Sequence, residues 1–231
     1  VLSPLASAEA VLSETERTMG AAVVDMGGGT TDLAIYLNGD VWYTNVINIG
    51  SNYITTDIAQ GLRLPVDVAE EVKLHHGYAV LDDISEEESF NVVPFSAEES
   101  TKVLRRDLVN IIEARAEEIL SMVHQEIKRS GVSGLLPAGL ILTGGGSQLP
   151  GMRKLATQVT GLPARIAKPE KMVGLTDQIS SPAFSTSVGL LQWAILMSET
   201  YQIGSERPGK GKRPEGDRAE TFASWFKKLL P

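Results

Sequence analysis

The chain has 231 residues with 42% apolar side chains, no cysteine, and 21 Lys and Arg against 29 Asp and Glu, for a formal charge of −8. It is long enough to bury one large core or two smaller ones, and it excludes disulfides and thiolate metal sites. No run approaches the roughly 18 apolar residues that span a bilayer.

The start carries no signal-peptide pattern. It begins without Met and mid-pattern, at VLSPLASAEAVLSETE, and reads as a piece of a longer protein. Residues 21–24 are an apolar run that ends in Asp25 and the triplet Gly27, Gly28, Gly29, and strand character resumes over 33–36. Asn38-Gly39 is a strong hairpin signal and leads into DVWYTNVINI, where apolar residues roughly alternate, so an antiparallel meander is predicted. From Ser51 the pattern turns helical: SNYITTDIAQGL and, after Pro65, VDVAEEVKLHHG, with Gly61 and Gly77 as stops.

The acidic stretch DDISEEES reads as a solvated loop, with attraction of a basic partner as the alternative, and FNVVPF reads as a short strand. Ser96 and Glu99 fit a capping box for a helix whose apolar positions, from Val103 and Leu104 to Ile127, keep helical period until Gly131. Such a helix would be roughly 50 Å long. GLILTGGGSQLPGM is predicted as a buried strand over 140–143, a glycine turn and a helix start near Pro150. PARIA follows as a short strand and SPAFSTSVGLLQWAILMSET as a final buried helix, with Trp193 and Met197 in the core. His75, His76 and His124 lack clustered acids at ligand spacing and read as structural.

Residues 204–218 hold prolines, glycines and charged or small polar side chains that cannot build a core, and read as a flexible linker. In 219–231, AETFASWFKKLLP, the side chains of Phe222, Trp225, Phe226, Leu229 and Leu230 fall three and four apart and share one helical face, flanked by Lys227 and Lys228. This amphipathic helix could dock on its own body, but the spacer favours one that reaches something else. Residues 205–231 carry seven basic and four acidic side chains, a charge of +3 that leaves −11 on the remainder. An anionic membrane surface would attract the tail and repel the body. Nothing in the body reads as a nucleic-acid surface.

The chemistry sits at two turns of similar design, about 115 residues apart. In VVDMGGGTTD a strand ends in Asp25 before Gly27, Gly28, Gly29 and Thr30; in LILTGGGSQ a strand ends in Thr143 before Gly144, Gly145, Gly146 and Ser147. Without side chains, backbone amides can approach a phosphate or sugar closely and adopt positive φ where needed. A carboxylate at a strand end can hold Mg²⁺ through its waters. Neither turn fits the dinucleotide or Walker fingerprints, and a glycine triplet alone also serves tight bends.

AAVVDMGGGTTDLAIY followed by LILTGGGSQLPGM resembles the second phosphate motif and the adenosine motif of the actin-like ATPase superfamily. Within it, SPLASAEAVL, DIAQGL, AEEVKLHHG, GLTD and STSVGLL, with an amphipathic helix after a loose linker, resemble the FtsA family of bacterial cell-division proteins over nearly the whole chain. The implied fold is α/β, actin-like (ribonuclease H-like): residues 22–49 and 139–203 as subdomain 2A, 50–138 as subdomain 2B, and 1–21 as the end of subdomain 1A.

The resemblance implies ATP and Mg²⁺ as ligands. Asp25 is the Mg²⁺-associated carboxylate, with Asp32 as the second acid of that motif and Gly27, Gly28, Gly29 and Thr30 around the β- and γ-phosphates. Gly144, Gly145, Gly146 and Ser147 lie beside the ribose and α-phosphate, and Glu70 and Lys73 reach the adenosine. The first phosphate loop would lie upstream of residue 1. The implied protein polymerises, tethers FtsZ to the cytoplasmic face of the cell membrane at the division site, recruits other division proteins, and has at most weak ATPase activity. A phosphotransferase or a chaperone-type ATPase of the same fold is the alternative.

Overall fold

In a computed structural model, which describes residues 1–95, 97, 99–170 and 179–204, the apolar run after Gly20 becomes β1 (Ala21–Met26), a strand buried along its whole length. β2 (Thr31–Leu37) and β3 (Asp40–Ile47) continue from it as the expected antiparallel meander. Asn38 and Gly39 take positive φ, 55° and 89°, at the hairpin between them. β6 (Gly139–Thr143) pairs parallel to β1 on its other side, and β7 (Ala164–Ile166) pairs parallel to β6, so the sheet order is β3-β2-β1-β6-β7.

The two faces of β1 belong to two cores, as strand alternation requires. Ala22, Val24 and Met26 pack with α3 (Ser51–Leu62), α4 (Val66–His76), α5 (Arg105–Arg129) and α6 (Met152–Thr160). Ala21 and Val23 pack with α1 (Ser3–Val11) and with Val188 of α7 (Ser185–Gly204). Between α1 and β1 lies the short α2 (Glu14–Met19), closed by a capping box of Ser13 and Glu16.

The long helix departs from its predicted start. Residues 101–104 form β5 (Thr101–Leu104), which pairs antiparallel with β4 (Ser89–Val92), so that Val103 lies opposite Phe90. α5 therefore begins at Arg105 and spans 25 residues, about 37 Å. Val103 and Leu104 satisfied the helical period, but a partner strand in reach offered them a ladder instead. No side chain caps α5; a missing cap costs about 1 kcal/mol. Seven larger apolar side chains, Leu108, Val109, Ile112, Ile119, Leu120, Val123 and Ile127, are fully buried along it, each worth about 1.5–3 kcal/mol, so burial decides the helix. Glu86 and Glu88 of the acidic loop pair with Arg106 and Arg105 at its start.

α7 also departs from expectation. The sequence predicts its apolar residues as buried, yet among those whose burial is described Val188 is the one buried apolar side chain, with Ser185 and Gly189 buried beside it. Leu190, Leu191 and Ile195 are exposed, and so are Trp193 at 37% and Met197 at 47%, both expected in the core. Apolar content states a preference for burial but not whether a neighbour is present; α1 covers one side of α7 at Ala6 and Gly189.

Val1–Ile195 pack as one unit and Leu196–Pro231 as a second, whose described part continues α7 to Gly204. GLTD, the linker from 205, Ser96 of the expected cap, and Phe222, Trp225, Phe226, Lys227, Lys228, Leu229 and Leu230 lie outside the described residues.

The α1–α7 crossing depends on Gly189, where a Cβ would stand 1.7 Å from the carbonyl oxygen of Ala6. Gly189→Ala is expected to lower unfolding stability by about 1–3 kcal/mol through this overpacking. Urea denaturation checks it; a midpoint equal to the parent's contradicts the crossing.

Candidate functional site

The two glycine turns meet. β1 and β6 are neighbouring parallel strands in which Asp25 lies opposite Thr143, so both turns leave the sheet at the same level. The first is closed by the Gly27 amide donating to the Thr30 carbonyl at 2.9 Å. Its carbonyls accept from the start of α3, Ser51 N–H to Gly27 and Asn52 N–H to Gly28, both at 2.9 Å. That approach needs Gly50, where a Cβ would lie 2.5 Å from the Gly28 oxygen. In the second turn Gly144 has φ +82°, and a Cβ there would stand 2.3 Å from Asp25 Oδ1. Gly146 lies against the Met26 carbonyl and Ser51. Ser147 is buried and donates to the Gly144 carbonyl at 2.8 Å, so its hydroxyl shapes the turn.

Asp25 is only 8% exposed, and among the described residues no Lys or Arg pairs with it. Its Oδ2 instead accepts from Ser7 of α1 and, at 2.8 Å, from Thr186 of α7. Asp32, opposite Asp25 across the β1–β2 ladder, has its carboxyl raised above the ordinary range by burial and then by the Asp25 charge, against the Thr30 hydroxyl. Two neighbouring carboxylates with hard oxygens, one of them resisting ionisation beside the other, suit a cation held through its waters. Among the described residues no group of three His, Asp or Glu could ligate an ion directly.

On the α3–α4 side a cavity of about 320 Å³ opens beside the second turn. Ile54, Leu74 and Leu149 give it apolar wall, and Gly145 and Gly146 join it to the turn. Glu70 and Lys73 also line it. The buried Lys73 Nζ donates to Glu70 Oε2 at 2.6 Å and to Thr55 Oγ1 at 2.8 Å, and Thr55 donates in turn to Glu70. Burial pushes the Glu70 carboxyl up, but the hydrogen bonds from Lys73 and Thr55 and the Lys73 charge outweigh it and hold it below the ordinary range. Apolar walls with one fixed charged pair suit a flat, partly polar ring system.

The structure thus brings Asp25, Asp32, Gly27, Gly28, Gly144 and Gly146 to one place, with Glu70 and Lys73 across an adjoining cavity. Gly29 has open space around it. Ser7, Thr55, Gly50 and Thr186 were not singled out in the sequence, where an isolated serine, threonine or glycine carries no spacing signal.

The sequence profile of "Cell division protein FtsA" matches residues 22–189. The FtsA of Neisseria meningitidis is 43% identical, the match covering 84% of this chain and 47% of that protein. The FtsA of Escherichia coli K12 is 35% identical, covering 99% of this chain and 54% of that protein. The chain thus spans about half the length of these relatives. Among solved structures, MreB5 of Spiroplasma citri bound to ADP superposes with a TM-score of 0.72 at 21% identity, covering 87% of this chain and 61% of the other, a likeness of fold.

Because Asp32 is raised, its ionisation opposes folding: the stability it contributes is present below the ordinary value of 3.8 and lost as pH rises through the raised value. Asp32→Asn should therefore melt higher than the parent in ligand-free buffer at neutral pH, by about 2 °C, and the gap should close on acidification below that value. Equal melting curves at neutral pH contradict the repulsion.

Proposed function

The chain belongs to the FtsA family of cell-division proteins and has an actin-like fold, and from that premise we propose that the complete protein binds Mg²⁺-ATP between the two glycine turns. One observation carries the reading: triplets about 115 residues apart converge at the ends of adjacent strands, with Asp25 between them and the Glu70–Lys73 pair across the neighbouring cavity. A structural neighbour solved with ADP supports it.

In this arrangement the amides of Gly28, Gly29, Gly145 and Gly146 face phosphate, those of Gly27 and Gly144 being spent on the Thr30 and Pro182 carbonyls, and Ile54, Leu74 and Leu149 embrace the base while Glu70 and Lys73 take polar groups of the nucleoside. Asp25 and Asp32 orient the waters of Mg²⁺, which when bound neutralises charge on the terminal phosphates. In this reading binding and assembly, rather than rapid turnover, are the function.

We further propose that nucleotide-loaded molecules polymerise on the inner face of the cell membrane and tether the FtsZ ring there, recruiting other division proteins. The membrane contact belongs to residues 219–231, read from sequence as an amphipathic helix. Each inserted apolar side chain contributes about 1.5–3 kcal/mol when fully buried, and each Lys near anionic lipid about 1 kcal/mol. Ordering a dozen residues costs a comparable amount, at roughly 1–2 kcal/mol each. A single tail therefore binds reversibly, whereas many on one filament bind together, which couples attachment to assembly.

Asp25→Ala in the full-length protein should weaken Mg²⁺-ATP binding by tenfold or more, on the order of the loss of one charged anchor; calorimetry giving parental affinity contradicts the nucleotide reading. Trp225→Glu should abolish co-sedimentation with anionic liposomes and leave the melting temperature unchanged. Retained co-sedimentation contradicts the membrane role.

A further inference from the structure

Asp25 is held by two hydroxyls from helices outside both glycine turns. Ser7 is completely buried on α1, and Thr186 lies in the first turn of α7. Both donate to the same oxygen, Oδ2, and their own oxygens stand 2.8 Å apart. A hydroxyl has one proton to give. Ser7 Oγ also lies 3.2 Å from the Ser3 carbonyl, but its approach to Oδ2 is the shorter, and with both protons directed at Oδ2 the short approach between Ser7 and Thr186 follows from their convergence on one acceptor.

The other oxygen, Oδ1, lies on the opposite branch of the carboxylate, toward Gly144, where only a glycine fits. One oxygen of Asp25 is thus tied to two donors and the other stands beside the start of the second turn. A carboxylate held at one oxygen cannot rotate freely, so water bound to Oδ1 meets an acceptor of fixed direction.

The neighbouring strand end is treated alike. Thr143, opposite Asp25, contacts Ser185 Oγ at 2.6 Å, and its hydroxyl lies 3.0 and 3.3 Å from the carbonyls of Ala167 and Pro182. Consecutive residues of α7 thus grip consecutive strand ends.

We propose that Ser7 and Thr186 are positioning residues for the Mg²⁺-ATP site: they orient the Asp25 carboxylate so that Oδ1 receives the ion's water. This rests on the nucleotide reading above and adds residues to it. Neither hydroxyl touches nucleotide or ion in this scheme; both act through Asp25. Their contribution is confined to the part of the affinity that depends on Mg²⁺, which separates positioning from general support of the fold.

The test titrates full-length protein with ATP in Mg²⁺ and again in EDTA, and reads the ratio of the two affinities. Thr186→Val keeps the side chain's shape and removes the donor; it should cut the ratio by about tenfold, the scale of one hydrogen bond to a charged group. Thr186→Ser restores the donor and should keep the ratio within about twofold of the parent. A parental ratio in Thr186→Val overturns the proposal, as does an equal fall in Thr186→Ser. Should Thr186→Val fail to fold, Ser7→Ala reads the same quantity with the same expectation, and failure of both to fold overturns it in favour of a packing role. A parent protein whose ATP affinity ignores Mg²⁺ instead overturns the nucleotide reading itself, and this proposal with it.

Discussion

A small set of buried and half-buried hydroxyls under the glycine turns holds the rest in place. They form two pairs, Ser7 with Thr186 on the Asp25 carboxylate and Thr143 with Ser185 beside nearby carbonyls, joined through adjacent strand ends and consecutive residues of α7 at the core shared by α1, the sheet and α7. Such a network is costly when half satisfied and rigid when complete. Because Asp25 and Thr143 are cross-strand neighbours, the network fixes two strand ends at once, and the turns that start from them inherit their relative position. The apolar residues below, Ala21, Val23, Ala34 and Ile141, give this layer its shape without any specificity of their own.

The other side of the cradle depends on the helices packed against the opposite sheet face. The carbonyls of Gly27 and Gly28 enter the first turn of α3, so the first loop is as well placed as that helix is. α3 in turn is fixed by the Arg115–Asp57 pair from α5 and by Thr55, which reaches Glu70 and Lys73 on α4. Loop, helix and cavity wall therefore share one support. A bulky residue at Gly50 or Gly146 would disturb all three, since each admits the approach of a different element.

Much of this was legible in the sequence where the signal is local. Asn38-Gly39 announced the hairpin, and Asp25 and Thr143 were visible as polar ends of apolar runs followed by glycines. Glu70 and Lys73 were legible only through resemblance, because their spacing alone is that of any surface helical pair. Ser7 and Thr186 escaped because their role is created by proximity between residues 179 positions apart. The start of α5 was misread because Val103 suits a strand and a helix equally, and the choice was made by Phe90 across the ladder. The exposure of Trp193 was misread because hydrophobicity describes what a side chain prefers to touch, not which neighbours it finds.

The grip of α7 on α1 also orders events during synthesis. α3, α4 and α5 lie within one stretch of chain and can pack as soon as they emerge, and the β1–β3 meander is likewise local. Asp25, however, waits for Thr186, and β1 waits for β6, so the first turn has its α3 support early but its carboxylate is held only once α7, the last described helix, has left the ribosome. A chain released before β6 would carry folded helices beside a sheet whose central strand has one open edge, the kind of surface on which chaperones and proteases act.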